Sequence, residues 1–508
     1  MRSSVRWLAT TLLIITGCAE NAQEDIRPDL SKFSICSVLS SSLPDSVYFP
    51  DDQVYQSQTD SYWATNQGEL AAACRVTPRS REDVQKAMWV LSRSSKSSTF
   101  AVKSGGHSAV ANTSNVESGV VIDLELLNHI NVDTEIGIVD IGPGARWADV
   151  YRHVDMLPGI YGVAGGRAGS VGVGGYFVGG GLSVFTGTHG WACDNAVAFE
   201  IVLGNGSIVQ ASHRSHQDLF RVIKGGGSNF GIVTRVKTRL IPLERQIDVT
   251  QISYDWTQLP TVLEALSRYT AEADTEPETT VSVSIGGLMN GGAMLVTVVL
   301  TSLYDTYLSE SLRPFFKIRH VFIQRQRRSQ LDIARLYDSS EPKGFREHRT
   351  TTTVENDAFL LLMMARNFSD TVAPAVAKLK ETGSQGGLLL QPLTLSHLRH
   401  SKDNMIGLHK AKEPLILIST VIRHSQPETD EKVEDLLLDH MRQANELALR
   451  RGSAHAWRYL NYAGIDTDPF EYHKGDDRLW SFVLATKEKY DPSNVFGEQI
   501  RDPFRINS

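Results

Sequence analysis

The stretch GGRAGSVGVGGYFVGGGLS, residues 165–183, is the most glycine-dense part of the chain. Glycine permits positive φ angles and lets a backbone approach a ligand closely, and each glycine costs conformational entropy on folding. An ordinary surface loop has little reason to accept that cost so many times. The stretch therefore predicts a backbone surface that lies against a bound group.

Two common nucleotide-binding motifs do not fit these glycines. A dinucleotide fingerprint needs glycine at the first, third and sixth places of a strand-to-helix turn, but the run that begins at Gly172 has Phe177 in the sixth place. A phosphate loop ends in Gly-Lys-Ser/Thr, whereas the run 226–231 continues into an apolar strand. Glycine loops from several distant segments instead favour an elongated ligand whose pyrophosphate is held by backbone amides, and FAD fits this description.

Several segments, taken in order, resemble the PCMH-type FAD-binding domain of the berberine bridge enzyme-like oxidases, in particular the fungal FAD-linked oxidoreductases. Each segment is short, but their order is specific, and the match covers nearly all the chain after its first residues. Near the C-terminus, 459–462 and 491–496 resemble the segment with which that family returns to the flavin domain. The N-terminal segments of the match are 102–108, 142–147, 166–167, 171–175, 179–181, 191–195 and 225–233.

The resemblance implies that FAD is attached covalently. In this family the histidine after the paired glycines bonds through a ring nitrogen to the methyl carbon of the flavin's benzenoid ring, and that position here is His107. Many relatives add a bond from a cysteine three residues before Val-Gly-Val-Gly-Gly, a position held here by Ala168, so a single link is expected. The other residues expected to bind FAD are Lys103, Ser104, Gly105, Gly106, Ser108, Gly166, Val171, Gly172, Val173, Gly174, Gly175, Gly231, Ile232, Val233 and Asn461.

A catalytic tyrosine is also implied by the resemblance, because in relatives a tyrosine of the returning segment lies in the active site. The candidates are Tyr459 and Tyr462. If this segment is a strand, Tyr459 and Asn461 share one face and Tyr462 lies on the other, so only one tyrosine can easily face the flavin. The sequence does not choose between them, and both could be aromatic residues that simply pack in a sheet.

The expected reaction follows from the cofactor. A flavin carries out hydride chemistry itself, and the protein supplies orientation, electronic tuning and a base. We expect an FAD-dependent oxidase of a small organic substrate, an alcohol of a secondary metabolite or a sugar, with O₂ reoxidising the flavin to give H₂O₂. The alternatives are oxidative cyclisation or C–C bond formation with the same flavin, and a flavin-binding protein without turnover.

Length and charge limit the partners. A chain of 508 residues is too long for one hydrophobic core, so two or more folded units are expected. A formal net charge of -7 argues against a binder of nucleic acid, because neutralising phosphates takes a surplus of Lys and Arg. The expected partners are therefore the small-molecule substrate and O₂, and the chain is expected to be a monomer with no membrane partner.

The N-terminus predicts export. Arg2 and Arg6 precede an apolar stretch, and small residues near Ala19 offer a cleavage point, which is the pattern of a secretory signal at 1–19. A secreted chain, or one in the secretory lumen, favours disulfides over thiols and zinc sites. No cysteine pair has metal-ligand spacing, and no metal is expected. Cys36 and Cys74 could then pair, with Cys193 left as a buried thiol, and Asn112, Asn205 and Asn367 begin glycosylation sequons.

The expected fold class is α+β. It consists of a two-part PCMH-type FAD-binding domain and an antiparallel-sheet substrate domain with helices on one face. After the signal we expect an N-terminal segment at 20–66, the FAD-binding domain at 67–244, the substrate-binding domain at 245–455, and a returning segment at 456–508.

Local patterns predict several elements of this fold. A helix should follow Ser80, and one strand should run over 132–141. In the second half, long alternating strands at 280–285 and 294–301 indicate an antiparallel sheet, which the apolar run 359–364 should continue. A long amphipathic helix should end at Gly452.

Overall fold

The computed structural model describes residues 34–286, 294–379 and 384–506, so the expected signal at 1–19 lies outside the described residues. Within these ranges the strands form sheets of four, five, two and eight strands. The strands in chain order are β1 Val47–Tyr48, β2 Cys74–Val76, β3 Phe100–Lys103, β4 Val120–Asp123, β5 Ile130–Asp133, β6 Ile138–Ile141, β7 Tyr161–Gly162, β8 Ala196–Val202, β9 Ile208–Ser212, β10 Ile232–Arg239, β11 Ile241–Pro242, β12 Ile247–Asp255, β13 Thr279–Gly286, β14 Leu295–Ser302, β15 Phe322–Arg328, β16 Arg346–Glu355, β17 Gln385–Leu393, β18 Leu415–His424 and β19 Ala454–His455.

Helices cover much of the remaining chain. The longer α-helices are Ile35–Ser42, Gln53–Asp60, Arg81–Leu91, Trp147–Asp155, Val173–Val178, Gln217–Ile223, Leu259–Glu272, Arg313–Lys317, Gln330–Ser340, Ala358–Asn367, Ala373–Ala377, Leu395–Arg399, Asp430–Arg451 and Asp477–Tyr490. Single-turn helices lie at Thr65–Gly68, Thr186–His189, Ala192–Asn195, Glu471–Lys474 and Val495–Glu498. No helix of the described ranges is both long enough and apolar enough to span a bilayer.

The first sheet has the order β1-β2-β4-β3, with β4 parallel to both β2 and β3. A parallel arrangement requires a crossover, which the helix Arg81–Leu91 supplies between β2 and β3. Ser80 caps this helix, as the sequence predicts, because its side chain accepts a hydrogen bond from the Asp83 N–H. After the crossover, β3 leads directly into the loop that carries His107.

The second sheet is antiparallel, in the order β5-β6-β10-β8-β9, and it corrects one prediction. The single strand expected over 132–141 is instead the hairpin of β5 and β6. The turn forms because Asp133 accepts hydrogen bonds from two following backbone N–H groups, and because Gly137 adopts a φ of 65°. Apolar residues flank this turn on both sides, so hydrophobicity alone does not reveal it.

The eight-stranded sheet is antiparallel throughout, in the order β15-β12-β14-β13-β17-β18-β16-β19. Helices Leu259–Glu272, Ala358–Asn367 and Asp430–Arg451 cover one face with a continuous apolar core. The expected helix end at Gly452 is present, with a left-handed φ of 71°. The α+β fold class, with helices on one face of an antiparallel sheet, is confirmed.

The prediction that 359–364 continues this sheet is wrong, because the run lies in the helix Ala358–Asn367. Asp357 caps the helix by accepting a hydrogen bond from the Leu360 N–H. The run is rich in Leu and Met and contains no β-branched residue, which favours helix over strand. A short apolar run does not distinguish the two by itself.

The C-terminal segment returns to the first half of the molecule. Phe100 in β3 donates a backbone hydrogen bond to the Gln499 carbonyl at 2.9 Å. The helix Asp477–Tyr490 packs against the helix Gln217–Ile223. The first and last parts of the chain therefore share one core, with the eight-stranded sheet between them in sequence.

The predicted disulfide is confirmed. Cys36 and Cys74 are bonded and join the helix Ile35–Ser42 to β2, while Cys193 is a buried free thiol. The bond closes a loop across a sequence separation of 38. It therefore anchors the N-terminal segment to the first sheet.

Replacing both cysteines, Cys36→Ser with Cys74→Ser, is expected to lower the free energy of unfolding by roughly 3–4 kcal/mol, since a loop of this length restricts the unfolded chain by about that amount. The measurement is the urea unfolding midpoint of the variant and of the oxidised wild type. A reductant should lower the midpoint of the wild type and leave that of the variant unchanged. Equal midpoints for the variant and the oxidised wild type would show that the bond contributes nothing.

Candidate active site

A cavity of about 550 Å³ lies between the glycine loops of the first half and the open face of the eight-stranded sheet. Most residues predicted to bind a cofactor line it. They are Ser104, Gly105, Gly106, His107, Ser108, Gly166, Val171, Gly172, Gly174, Gly175, Gly231, Ile232, Val233 and Asn461, together with both candidate tyrosines. The structure thus brings segments more than 350 positions apart, from Ser104 to Tyr462, to one wall.

Two of the predicted residues lie behind this wall. The Lys103 ammonium is 2.7 Å from the Asp123 carboxylate, and both side chains are fully buried. Val173 is also buried in the core beneath the loop. Neither is among the residues that line the cavity, and we infer that they support the loops from below.

The loop at 104–108 is held by close backbone contact. A Cβ atom on Gly105 would lie 2.5 Å from the Gly172 nitrogen, and Gly106 has a φ of 62°. The Ser104 hydroxyl donates to the Pro143 carbonyl at 2.6 Å and accepts from the Gly174 N–H at 3.2 Å. Glycine is required here because a larger residue would force the two loops apart.

His107 is fixed by two side chains. Its ring stacks on Trp63, with 4.2 Å between the ring centroids, and its Nε2 lies 3.2 Å from the Ser170 hydroxyl. Burial lowers the pKa of the imidazole to about 3. The ring is therefore neutral at physiological pH, and one nitrogen carries a free lone pair.

The tyrosine segment differs from its prediction. Residues 460–462 form a 3₁₀ turn, not a strand, so Tyr459 and Tyr462 are not separated onto opposite faces. Their rings contact each other edge to face at 5.0 Å, and both line the cavity. The expected alternation failed because the Tyr462 N–H bonds back to the Tyr459 carbonyl, which closes a turn.

The two tyrosines nevertheless have different environments. Tyr459 is 1% exposed, and its hydroxyl accepts hydrogen bonds from the Leu182 N–H and the Asn461 amide. Burial raises the pKa of Tyr459 above its usual range. Tyr462 is less buried, and its hydroxyl accepts a hydrogen bond from the Arg167 guanidinium at 2.9 Å. A second guanidinium, that of Arg349, lies 5.2 Å from the centre of the Tyr462 ring.

Charged side chains cover part of the sheet wall. Glu347 on β16 bonds Arg349 at 2.9 Å and Arg423, directly opposite on β18, at 2.7 Å. Burial alone would raise the pKa of Glu347, but the two guanidinium groups outweigh it and hold that pKa at about 2. Glu347 is therefore ionised at any working pH and is occupied by its two partners.

Sequence reasoning assigned no role to Arg167, Glu347, Arg349 or Arg423. A usable signal existed in β16, because Arg-Glu-His-Arg at 346–349 begins a strand that is mostly buried. Charged residues in such a strand are rarely buried without a partner or a function. Their partners could not be identified without the strand register.

One group outside the cavity has metal-ligating spacing. Among the described residues, atoms of His348, His424 and Asp430 lie within 4.8 Å of one another. Arg346 bonds both carboxylate oxygens of Asp430 and also pairs with Glu69. An ion-pair network between the sheet, the helix Asp430–Arg451 and the N-terminal segment accounts for this group.

The predicted sequons differ in accessibility. Asn205 is exposed in the turn between β8 and β9, and Asn112 is half-buried. The side-chain amide nitrogen of Asn367 donates to Gln443, and its oxygen accepts a hydrogen bond from His440. Asn205 is therefore the sequon most open to a glycan.

The cavity fits FAD in two respects. A Cβ atom on Gly175 would meet nothing within 4 Å, so the backbone there is open to a bound group, as a cofactor cradle requires. The cavity near His107 is lined largely by backbone and has the size found in cofactor sites, and the imidazole supplies a nucleophilic nitrogen to it. Loops of Ser104, Gly172 and Gly227 would hold the cofactor mainly through main-chain groups.

Comparison with known proteins agrees with this geometry. The model of the FAD binding domain family matches residues 72–212. The FAD-dependent monooxygenase tpcD of Cochliobolus heterostrophus is 32% identical to this chain, over 93% of the chain and 94% of its own length.

Two solved structures share the fold. The BBE-like 1 protein of Physcomitrella patens has a TM-score of 0.75 and 17% identity, and the match covers 94% of this chain and 100% of that one. The xylooligosaccharide oxidase of Myceliophthora thermophila C1 has a TM-score of 0.75 and 18% identity, with the same coverage. Because the FAD-dependent monooxygenase tpcD is 32% identical to this chain along almost the whole length of both proteins, the chain belongs to the family of FAD-dependent oxidoreductases that carry this FAD binding domain.

Proposed function

We propose that the protein is an FAD-dependent oxidase of a small organic alcohol, with Tyr462 as the base that takes the hydroxyl proton. The observation that carries the proposal is the Arg167–Tyr462 pair, which lies in the same cavity wall as His107. When bound, FAD supplies a two-electron acceptor that takes hydride at N5 and is reoxidised by O₂ with release of H₂O₂.

The residues around Tyr462 support its role. Arg167 donates to the phenol oxygen, and Arg349 lies over the ring, so both stabilise a negative charge on that oxygen. The Tyr462 oxygen lines the cavity, where it can take the proton of a substrate hydroxyl within hydrogen-bond reach. The positive charges are fixed in advance, because Glu347 holds Arg349 and Arg167 stacks on Tyr337.

The other candidate bases fit less well. Burial raises the pKa of Tyr459, and its hydroxyl already accepts two hydrogen bonds. The carboxylate of Glu347 is occupied by two arginines, and its low pKa makes it a weak proton acceptor at neutral pH. Tyr462 therefore remains the proposed base.

We propose a single covalent link to FAD through His107. Its neutral, fixed imidazole supports attack by a ring nitrogen. Ala168 lines the same cavity at the position where relatives with a second link carry cysteine, and alanine cannot form that bond. The remaining cavity-lining glycines would bind the cofactor through their backbone.

The proposed substrate is an alcohol with an apolar body. Leu389 and Val421 contribute apolar surface to the sheet wall, and Tyr337 lines the same cavity. The xylooligosaccharide oxidase is 18% identical and shares only the fold, whereas tpcD, at 32% identity, is named an FAD-dependent monooxygenase. Because this wall of the cavity is apolar and the sugar oxidase supports only the fold, we place an alcohol of a secondary metabolite ahead of a sugar.

The test is spectroscopic. The purified holoenzyme is mixed with candidate alcohols under argon, and a substrate should bleach the flavin absorbance, which air should restore together with one H₂O₂ per substrate oxidised. Labelled ¹⁸O₂ separates the two reaction types, because an oxidase leaves the label in peroxide and a monooxygenase transfers one labelled atom to product. Label in the product, without peroxide, would overturn the oxidase proposal.

We also propose that the protein is secreted. The disulfide of Cys36 and Cys74 supports an oxidising compartment. Exposure of Asn205 supports a glycan there. Mass analysis of protein secreted by a eukaryotic host, before and after glycosidase treatment, tests both points.

A further inference from the structure

A chain of hydrogen bonds ends on His107. The Ser170 hydroxyl lies 2.7 Å from Asp338 Oδ1 and 3.2 Å from His107 Nε2. The Ser170 N–H also donates to Asp338 Oδ1, at 3.2 Å. Asp338 belongs to the helix Gln330–Ser340, so the chain joins that helix to the two glycine loops that hold the imidazole.

Chemistry fixes the direction of these bonds. An ionised carboxylate can only accept, so the single hydrogen of the Ser170 hydroxyl goes to Asp338. The Ser170 oxygen must then accept from His107, which places the imidazole hydrogen on Nε2. In a neutral imidazole the lone pair is therefore on Nδ1.

The surroundings of His107 leave that nitrogen available. Stacking on Trp63 at 4.2 Å fixes the plane of the ring, and Ser170 fixes its rotation. No side chain of the described ranges donates a hydrogen bond to Nδ1, and the ring lines the cavity. The two ring nitrogens are thus distinguished by their side-chain contacts, because Nε2 bonds Ser170 and no described side chain bonds Nδ1.

We propose that Ser170 and Asp338 are positioning residues that select the His107 tautomer and make Nδ1 the nucleophile for covalent attachment of FAD. This inference rests on the proposed covalent link. It adds which imidazole nitrogen reacts and which residues orient the ring. Neither Ser170 nor Asp338 bonds to the cofactor in this reaction.

The attachment balances with O₂ as oxidant. A bond forms between Nδ1 and the methyl carbon of the flavin, that methyl group loses one hydrogen, and the imidazole loses its Nε2 proton along the bond to Ser170. The two electrons released from the methyl carbon pass through the flavin ring to O₂. With the two hydrogens, O₂ leaves as H₂O₂, and the attached flavin is again oxidised.

The experiment measures attachment, not turnover. Wild type, Ser170→Ala and Asp338→Ala are purified as holoenzymes, and the fraction of FAD that stays with acid-precipitated chain is followed with time in air. The mass of the peptide that contains His107 confirms the link. Total FAD per chain should match wild type in both variants, while the covalent fraction should form roughly tenfold more slowly, by analogy with metal-ligating histidines that lose the partner that orients them.

Matched variants separate this role from a structural one. Ser170→Thr keeps a hydroxyl and should attach FAD at the wild-type rate. On the same helix, the exposed Ser339 does not line the cavity and its hydroxyl bonds the Leu336 carbonyl, and Asp332 is half exposed. Ser339→Ala and Asp332→Ala should therefore leave attachment unchanged.

The possible failures are distinguishable. Wild-type attachment rates in both Ser170→Ala and Asp338→Ala, with normal FAD content, would overturn the role of these residues and leave the covalent link intact. An unmodified His107 peptide in wild-type protein that contains FAD would overturn the covalent link itself. If Ser170→Ala does not retain FAD, Asp338→Ala decides the question, because Asp338 does not line the cavity.

Discussion

Replacing Tyr462 with phenylalanine is expected to slow reduction of the enzyme by its substrate by roughly 10²- to 10⁴-fold, the usual contribution of a positioned base. The substitution removes the phenol oxygen that Arg167 contacts and keeps the ring that lies against Tyr459 and Arg349. The cavity should keep its shape, so FAD content should not change. The measurement is the rate at which substrate bleaches the flavin under argon.

Two further variants make this test specific. Tyr472→Phe is the matched control, because Tyr472 belongs to the same C-terminal segment and does not line the cavity; its reduction rate should equal that of wild type. Arg167→Met should slow reduction while retaining the phenol, because the phenol oxygen loses the guanidinium that donates to it. Rapid reduction of Tyr462→Phe by a wild-type substrate would show that another group takes the proton.

The second large effect is expected on stability. Lys103→Met should lower the free energy of unfolding by roughly 3–5 kcal/mol, because it leaves the Asp123 carboxylate buried without its partner. Lys103 is the last residue of β3, directly before the loop of His107, and its side chain is 1% exposed. The variant should therefore lose FAD as well as stability, which urea unfolding and flavin content will show.

The control for this variant removes both charges. Lys103→Met combined with Asp123→Asn leaves no unpaired ion, and the amide can still accept the hydrogen bond that Asp123 receives from the Glu125 N–H. Replacement of a buried ion pair as a whole is often nearly neutral. The double variant should recover most of the lost stability. A double variant as unstable as Lys103→Met would mean that the lysine acts by packing alone.

Sequence patterns predicted the parts of this protein that depend on short-range order. The glycine loops, the helix after Ser80 and the antiparallel strands of the second half each follow from neighbouring residues. The pair Cys36 and Cys74 followed from elimination among few cysteines. The predictions for 359–364 and 132–141 were wrong because each apolar run is compatible with more than one local structure. Hydrophobicity alone does not separate helix, strand and turn.

The sequence by itself determined the cofactor class. Its glycine-rich segments favour a backbone surface that lies against a bound group, and this preference does not depend on the rest of the chain. Tertiary structure alone decided which side chains meet there: Tyr462 and Arg167 are separated by 295 positions, Ser170 and Asp338 by 168, and Glu347 meets Arg423 only through the register of β16 and β18. Contacts of this kind depend on strand register and on which face a residue occupies. A shift of one residue in the register of β16 would move Glu347 to the other face of the sheet, away from Arg423, and no local pattern encodes that choice.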